Sequence, residues 1–399
     1  MQKIYVIVEI RKLYKGEGRD KLENRELIDK LNEDKKLNLY QWEQLLGTFK
    51  EEDQKYAANM ARNISLEKFG NKIFFRGIVE FTNVCKNNCK YCGIRRGNKE
   101  VSRYRLNKEE ILKCCEEGYK YGYRTFVLQG GEDNYYSDEM MEDIISSIHK
   151  KYPDCAITLS IGEKERESYE KFYKAGATRF LLRHETADEK HYEKLHTDEL
   201  SWEHRMNCLK NLKDIGYQTG CGFMVGSPYQ SISNIAKDMI FIGKFKPQMI
   251  GIGPFIPHKD TPFKGFNCGS AKMTLFILSL CRIMLPDVLL PATTALSTVR
   301  DDGRQLGVLS GANVIMPNLS PIEVRKKYML YDNKAITGDD AGENLKLIQD
   351  NINEIGYEVI IDKGDYKDKK ILYSKDMLIC DGGLIPRYIS SYTVIDESN

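Results

Sequence analysis

The sequence lacks any long apolar run. No stretch approaches the roughly 20 consecutive apolar residues that a membrane-spanning helix needs. The apolar run at residues 5–8 ends at Glu9 and is too short for the hydrophobic region of a secretory signal. The sequence therefore predicts a soluble, cytoplasmic protein with no membrane partner.

The sequence also lacks an excess of either charge. It has 60 Lys and Arg residues against 58 Asp and Glu residues, well mixed, for a formal net charge of +2. Binding to nucleic-acid phosphates usually needs a clustered basic face. The composition therefore gives no basis for a nucleic-acid partner.

No Gly/Ser-rich or Pro-rich linker divides the 399 residues, 41% of which are hydrophobic. A chain of this size can bury one large core. Between about residues 20 and 70, apolar residues recur at the three- and four-residue spacings of a helix. The sequence predicts an N-terminal helical extension (1–72), a main domain (73–330) and a C-terminal segment that packs on or trails from it (331–399).

From residue 73 onward, short β-rich apolar runs alternate with amphipathic stretches long enough for helices. Eight such runs predict an α/β protein with a (β/α)8 TIM-type barrel; an open doubly wound sheet is the alternative. The predicted strands are residues 78–81, 125–128, 156–160, 179–182, 222–225, 249–256, 288–292 and 313–316.

Residues of a different character follow the predicted strands. Cysteines follow the first strand, and polar, Gly or Pro residues follow the others. These latter stretches are residues 129–133, 160–163, 183–185, 226–230, 257–260, 293–294 and 316–318. Because barrel enzymes carry their chemistry at the carboxyl ends of the strands, we expect the functional site there.

The cysteines favour a metal centre over disulfides. Eleven is an odd number, and Cys85, Cys89 and Cys92 are bunched on a Cys-x3-Cys-x2-Cys spacing. Iron–sulfur clusters normally use four cysteines, so three leave one iron open for a further ligand. The alternative is a zinc site with a distant fourth ligand such as His184. The other eight cysteines are interpreted as small buried hydrophobic residues.

The cysteine motif, with Tyr91 before its last cysteine, resembles the signature of the radical S-adenosylmethionine (SAM) superfamily. Six further stretches together resemble the HydE family, the radical SAM maturases of FeFe-hydrogenase. They are residues 78–83, 128–133, 182–186, 251–258, 291–295 and 313–318, and the resemblance runs from about residue 26 to about 365. It implies one 4Fe-4S cluster, SAM, and oxygen sensitivity.

The same resemblance implies a function and partners. Such an enzyme cleaves SAM reductively to a 5′-deoxyadenosyl radical and processes a small, cysteine-derived iron carbonyl cyanide complex during assembly of the H-cluster. Its partners are this small substrate, the other hydrogenase maturases and an electron donor.

Site residues carry over by position. Cys85, Cys89 and Cys92 would hold the cluster, Glu132 the SAM amino group, and Glu185 and Arg205 would contact SAM. The further cofactor-binding residues are Tyr91, Gln129, Gly130, Gly131, Thr158 and Met316, and the substrate-contacting residues are Arg183, Thr293, Thr294 and Tyr331.

These assignments have plainer alternatives. Thr158, Thr293 and Thr294 fit as β-branched strand residues, and Met316 fits as core. Arg183 and Glu185 fit as a structural ion pair.

One departure from the family concerns a second cluster. Many family members carry a further Cys-x7-Cys-x2-Cys pattern after the barrel, where this sequence has Ile336, Asn344 and Leu347. None of these can supply a thiolate, so we expect no second cluster. Residues 1–25 and those after about 369, with Cys380, fall outside the resemblance.

Two other functions remain open from the sequence. One is a different small-molecule radical SAM enzyme, such as a methylornithine synthase or a biotin-synthase-like sulfur inserter. The latter needs extra cluster ligands inside the barrel, for which Cys155 and Cys221 are too few. The other is a non-catalytic iron–sulfur carrier.

Overall fold

The computed structural model describes residues 22–334 and 341–366, all within one compact unit of the chain that ends at Tyr366. No helix in these two stretches is long and apolar enough to cross a membrane. The helices are α1 (Asn24–Asp34), α2 (Leu39–Thr48), α3 (Glu51–Phe69), α4 (Lys108–Lys120), α5 (Asp138–Lys151), α6 (Arg166–Ala175), α7 (Glu189–Leu195), α8 (Trp202–Ile215), α9 (Ile232–Phe245), α10 (Ala271–Met284), α11 (Thr294–Val299), α12 (Gly303–Leu309), α13 (Ile322–Arg325) and α14 (Ala341–Glu354).

Most strands alternate with these helices. The strands are β1 (Lys72–Phe75), β2 (Gly77–Thr82), β3 (Thr125–Gly130), β4 (Ala156–Ser160), β5 (Arg179–Leu181), β6 (Gln218–Cys221), β7 (Met224–Val225), β8 (Met249–Ile250), β9 (Gly253–Pro254), β10 (Val314–Ile315) and β11 (Glu358–Ile360).

The first three helices lie within the stretch predicted as an N-terminal helical extension. Helix α1 begins with a capping box between Glu23 and Glu26 and buries Leu27, Ile28 and Leu31 on one face. Helix α3 packs against α10, whose residues 274–284 are all buried. Because residues 274–284 are buried on all sides, α10 is covered by the N-terminal helices together with the rest of the domain.

Six strands form one parallel sheet in the order β2-β3-β4-β5-β6-β8. The register pairs Val127 with Thr158 and Phe180 with Thr219, for example. Helices connect successive strands, which places the carboxyl ends of all six strands at the same edge of the sheet. The structure is an α/β fold, and the first four predicted strands are confirmed.

The fifth predicted strand, residues 222–225, is only partly right, because β7 covers its last two residues but is not part of the main sheet. The strand in the main sheet is β6, which ends at Cys221 before Gly222, a residue with a φ of +153°. A side chain at Gly222 would overlap the backbone of Gly251. The segments after β6 and β8 can therefore pass this close only because both have glycine there. Beyond the crossing, β7 and β9 form a separate parallel pair, which also divides the sixth predicted strand.

The seventh predicted strand makes only isolated bridges. Leu289 bridges Met249 of β8, and Pro291 bridges Val314 of β10. Asn318, just after β10, bridges Ile78 of β2. The segments at residues 289–291 and 314–318 therefore link β8 to β2, which are the two edge strands of the six-stranded sheet.

Strands β1 and β11 were not predicted from the sequence. Strand β1 lies between β10 and β11 in a second parallel sheet, so the predicted boundary between residues 72 and 73 falls inside β1. After β11, the Lys363 carbonyl accepts hydrogen bonds from Thr125 at 2.9 Å and Arg179 at 2.8 Å. Thr125 and Arg179 begin β3 and β5, so this segment covers the amino ends of the strands.

Candidate active site

The three bunched cysteines lie in a loop that follows β2. Their side chains are half-buried, and backbone hydrogen bonds tie the loop to its neighbours, from Lys86 N to Glu132 O and from Gly93 N to Leu330 O, both at 2.8 Å. Gly131 packs so close that an added Cβ would lie 2.8 Å from Cys85 Cβ. The Gly130-Gly131 pair thus lets the end of β3 touch the cysteine loop.

A single arginine organises this loop. Arg103 Nη1 donates to the carbonyls of Asn83 (2.6 Å) and Ile94 (2.8 Å), and Nη2 donates to those of Arg95 (2.7 Å) and Asn98 (3.0 Å). These carbonyls flank the cysteine motif on both sides, so one guanidinium fixes both ends of the loop. Sequence reasoning missed Arg103, because nothing in its local sequence reveals four backbone partners.

Burial raises the pKa values of all three thiols, that of Cys92 to about 12. Three thiolates this close need a positive centre to hold them. In residues 22–334 and 341–366, no three His, Cys, Asp or Glu side chains converge on one point as ligands of a single ion.

His184 does not supply a fourth ligand. Its side chain is fully buried, Nδ1 accepts a hydrogen bond from Gly222 N at 3.2 Å, and Nε2 lies 3.4 Å from Asp238 Oδ1. Both ring nitrogens are therefore directed at Gly222 and Asp238 and not at a cysteine thiol, which argues against His184 as the fourth ligand of a zinc site.

The remaining cysteines are mostly buried as expected. Cys155 lies just before β4, at the amino end of that strand, and Cys221 is fully buried in the core. Cys268 is an exception because it is exposed. Cys380 lies outside the described residues.

A cavity of about 340 Å³ lies at the carboxyl ends of the strands, where the sequence predicted the site. Cys92 is part of its wall, so the cysteine loop faces the cavity directly. The other predicted residues on the wall are Tyr91, Gln129, Gly130, Arg183, Glu185, Arg205, Thr293, Thr294, Met316 and Tyr331.

Five predicted residues do not line this cavity: Cys85, Cys89, Gly131, Glu132 and Thr158. Thr158 is a buried residue of β4, and its hydroxyl has no hydrogen-bond partner. The Glu132 carboxylate occupies the space that a side chain at Gly162 would fill. Gly162 has a φ of +76°.

Arg183 and Glu185 form an ion pair at 3.2 Å, as one interpretation of the sequence expected. The pair is incomplete, because Arg183 Nε and Nη2 and Glu185 Oε2 are buried without a hydrogen-bond partner. Glu185 has a φ of +63°, and its N–H donates to Gly222 O at 3.1 Å. The backbone thus turns sharply to place both side chains toward the cavity.

A second buried network holds Arg205. Its side chain donates to Glu163 and, at 2.8 Å, to the Arg183 carbonyl. Burial alone would lower the pKa of Arg205, but Tyr192 and Glu163 raise it overall. Glu163 N in turn donates to Glu132 Oε1 at 3.0 Å, and Glu132 Oε2 has no hydrogen bond but lies 3.7 Å from Lys86 Nζ. Glu163 was missed as a site residue although it ends the polar stretch after the third predicted strand.

The opposite wall carries another charged pair that the sequence interpretation missed. Glu80 of β2 accepts hydrogen bonds from Lys334 and, at 2.7 Å, from Asn318. Lys334 also donates to the Tyr328 carbonyl at 3.1 Å. The sequence did offer a signal, because Glu80 is the one charged residue in the otherwise apolar predicted strand 78–81.

Tyr91 joins the cysteine loop to a buried histidine. Its hydroxyl lies 3.3 Å from His196 Nε2, and the His196 ring stacks on Tyr192 at 3.9 Å between centroids. Burial lowers the pKa of His196 to about 3, so the ring is neutral. Burial also raises the pKa of Tyr331 on the cavity wall, which keeps that hydroxyl protonated.

Of the three positions where related proteins carry second-cluster cysteines, only Leu347 has a described side chain. Ile336 lies outside the described residues, and the side chain of Asn344 is likewise undescribed. Leu347 is exposed on α14.

Comparison with known proteins accounts for this arrangement. Residues 79–242 match the radical SAM superfamily. The chain is 46% identical to the [FeFe] hydrogenase maturase subunit HydE of Thermotoga maritima over 275 residues, which cover 69% of this chain and 78% of that protein. The chain belongs to the HydE family of radical SAM enzymes.

Other relatives lie further away. The HydE-family chain is 30% identical to 3-methylornithine synthase of Methanosarcina acetivorans, over 70% of this chain and 79% of that protein. The crystal structure of methylornithine synthase (PylB) aligns with a TM-score of 0.73 at 26% identity, covering 84% of this chain and 97% of that one. A structure of HydG aligns at 0.71 and 21% identity, covering 85% and 77%, and shares the fold.

Proposed function

We propose that this radical SAM enzyme acts in assembly of the FeFe-hydrogenase H-cluster, on a small cysteine-derived iron carbonyl cyanide complex. The 46% identity to a hydrogenase maturase supports this role over that of methylornithine synthase, whose identity is 30%. The cavity next to Cys92 supports catalysis over a carrier function, since a carrier needs no enclosed space beside its metal centre.

The proposed cluster site is Cys85, Cys89 and Cys92, with no second cluster. Three half-buried thiols on one loop, which the Gly130-Gly131 pair allows to pack against the end of β3, fit a four-iron, four-sulfur cluster. When bound and reduced, that cluster supplies the electron that cleaves the SAM sulfonium to a 5′-deoxyadenosyl radical. The ten described cysteines are all unpaired, which fits work in the reducing cytoplasm.

The proposed SAM site lies between the cysteine loop and Arg205. An amino acid ligand carries an ammonium and a carboxylate, and both need charged partners when water is excluded. Glu132 Oε2 and Glu185 Oε2 lack hydrogen bonds and fit the ammonium and hydroxyl donors of such a ligand, and Arg205 on the cavity wall is the proposed cationic contact. Tyr91, Gln129, Gly130 and Met316 complete the walls around it.

The proposed substrate site is the part of the cavity bounded by Arg183, Thr293, Thr294 and Tyr331. Arg183 can pair with a substrate carboxylate through two parallel hydrogen bonds. The Thr293 hydroxyl is buried and has no partner, so it is free to donate to a carboxylate or cyanide. The small volume suits a compact substrate rather than a peptide or nucleic acid.

We also propose that the strands close into a (β/α)8 barrel. The bridges Met249–Leu289, Pro291–Val314 and Ile78–Asn318 support closure, because they link the two edge strands of the main sheet. The three-part division of the chain at residues 72 and 330 is likewise a proposal. Closure would seal the cavity from bulk water, which protects a reactive carbon radical.

In vitro maturation tests the proposed function. Apo-hydrogenase is incubated with the other maturases and an electron donor, with this protein supplied or omitted. Active hydrogenase should form only when it is supplied. Equal activation without it, together with methylornithine formed from lysine, would transfer the assignment to methylornithine synthase.

A further inference from the structure

The near-neutral net charge hides a basic segment around the cysteine loop. Between Cys85 and Arg105 the chain carries seven Lys and Arg residues and one acidic residue, Glu100. The rest of the chain balances this segment, since the totals are 60 basic and 58 acidic residues. The expectation of well-mixed charges therefore fails in this segment.

Some of these charges are used internally. Arg103 is surrounded by carbonyls, Arg96 pairs with Glu199 at 3.0 Å, and Arg105 pairs with Asp133 at 2.7 Å. Lys99 is exposed, and its side chain has no ion-pair or hydrogen-bond partner in the described part of the chain. Lys86 is half-exposed beside Cys85, and its Nζ lies 3.7 Å from Glu132 Oε2.

A second basic stretch lies beside the first. The Asn83 amide donates both to Ser102 O at 2.9 Å and to Lys327 O at 2.7 Å, which brings the two backbones together. Gly93 N donates to Leu330 O from the same loop. Lys326, which is exposed, and Lys327 therefore add to the basic surface.

This basic surface lies beside the thiols of the cysteine loop. The Arg103 guanidinium interacts electrostatically with Cys85 and Cys92 and also donates to the carbonyl of Asn98, the neighbour of Lys99. The other side of the thiols is the cavity, which must hold the substrate and exclude water. Arg103 therefore connects the thiols to the backbone next to Lys99, on the basic side of the loop.

We infer that the surface formed by Lys86, Lys99, Lys326 and Lys327 is the docking site of an acidic one-electron donor protein. The inference rests on the proposed cluster. One electron leaves the reduced donor, which is oxidised, and enters the cluster, which is reduced; no atom or proton is transferred. Complementary charge steers such encounters and raises their rate, by 10-fold or more at low salt.

Charge reversal at two exposed lysines tests the docking site. Lys99→Glu and Lys326→Glu are combined in one variant, the cluster is reconstituted anaerobically, and its bleaching by a reduced acidic ferredoxin is followed by stopped flow. At low ionic strength the bimolecular rate constant should fall about 10-fold or more below that of the wild type. The two proteins should converge as salt is added, because salt screens the attraction.

Two controls isolate docking from other effects. Photoreduced 5-deazaflavin, a small neutral reductant, should reduce both proteins at equal rates. Lys55→Glu with Lys272→Glu, a matched reversal in the basic groove between α3 and α10, should leave the ferredoxin rate unchanged. If the acidic variant fails to fold, Lys99→Gln with Lys326→Gln gives a smaller loss of the same kind.

Several outcomes would overturn the inference. One is a ferredoxin rate that is unchanged by the reversal or insensitive to salt in the wild type. Another is an equal loss with deazaflavin, which would place the effect on the cluster itself. A third is an unchanged ferredoxin rate with tight binding of duplex DNA by the wild type alone, which would make the surface a nucleic-acid site. Failure of the wild type to assemble any cluster would instead refute the proposed function.

Discussion

Arg183 Nη2 lies 3.2 Å from Glu185 Oε2 on the cavity wall, yet neither atom has a hydrogen bond. In a buried ion pair with a purely structural role, the remaining donors and acceptors are normally hydrogen-bonded, because a buried polar group without a partner destabilises the fold. Here Arg183 Nε is unpaired as well. The pair is therefore better suited to receive a ligand than to stabilise the fold by itself.

Replacing Arg183 by Lys should reduce substrate-dependent SAM cleavage by at least about 10-fold, or about 1.4 kcal/mol. Lysine keeps the charge but loses the planar two-point contact. The slow cleavage that occurs without substrate should persist. The amount of 5′-deoxyadenosine formed, measured by chromatography, gives both cleavage rates. The control variant is Arg166→Lys, which changes an exposed arginine paired with Glu170. Equal loss of both rates would place Arg183 at SAM instead.

Replacing Cys89 by Ala should remove all iron–sulfur absorbance after anaerobic reconstitution. The wild type should bind about four irons per chain and give a reduced EPR signal that changes when SAM is added. Cys268→Ala, which alters an exposed cysteine far along the chain, should reconstitute normally. Cluster signal that survives in Cys89→Ala would establish a second site and correct the expectation drawn from Ile336, Asn344 and Leu347.

Gly162→Ala should weaken SAM binding by pushing the Glu132 carboxylate aside. The added Cβ would overlap that carboxylate, and the φ of +76° adds backbone strain of about 1–2 kcal/mol. Gly70→Ala is a matched control, because Gly70 has a φ of +66° but no atom within 4 Å of the added Cβ. Both variants should lose stability in urea, and Gly162→Ala should lose more because of the overlap with Glu132. Only Gly162→Ala should lose SAM affinity, by about 10- to 100-fold in calorimetry.

Arg103→Lys should lower cluster retention while the fold persists. Lysine cannot reach the four carbonyls of Asn83, Ile94, Arg95 and Asn98 together, so the two ends of the cysteine loop would separate. Iron content after gel filtration, with the EPR line shape, measures the effect. Arg124→Lys, on the surface beside Asp154, should retain its iron. Full retention in Arg103→Lys would show that the loop holds its shape without the clamp.

His196 should make the metal-free protein sensitive to acid. Its folded pKa of about 3 lies below the ordinary value of 6.5, so the unfolded chain binds the proton more readily. The contribution to stability is complete above about pH 6.5 and is lost as the pH falls toward 3, by up to about 1.4 kcal/mol per pH unit. Urea unfolding between pH 4.5 and 7.5 should show a shallower slope for His196→Asn. His149→Asn, at an exposed site, should keep the wild-type slope.

Much of the fold and of the site follows from local sequence pattern. The Cys-x3-Cys-x2-Cys spacing, the apolar strands 78–81, 125–128 and 156–160, and the polar residues after them depend only on neighbours in the chain. Because parallel strands meet at one edge, such patterns also predict that Gln129, Arg183 and Thr293 share a cavity. The sequence by itself therefore determined the metal-binding motif and the end of the strands that carries the site.

Tertiary structure decided the features that depend on distant partners. Strand β6 lies at residues 218–221 rather than 222–225 because Gly222 crosses Gly251, a contact between separate strands. The Arg103 clamp and the Glu80–Lys334 pair join residues that no periodicity connects. Burial then decides their chemistry, because a charged or polar group is held in an apolar interior only when the folded chain brings it a partner.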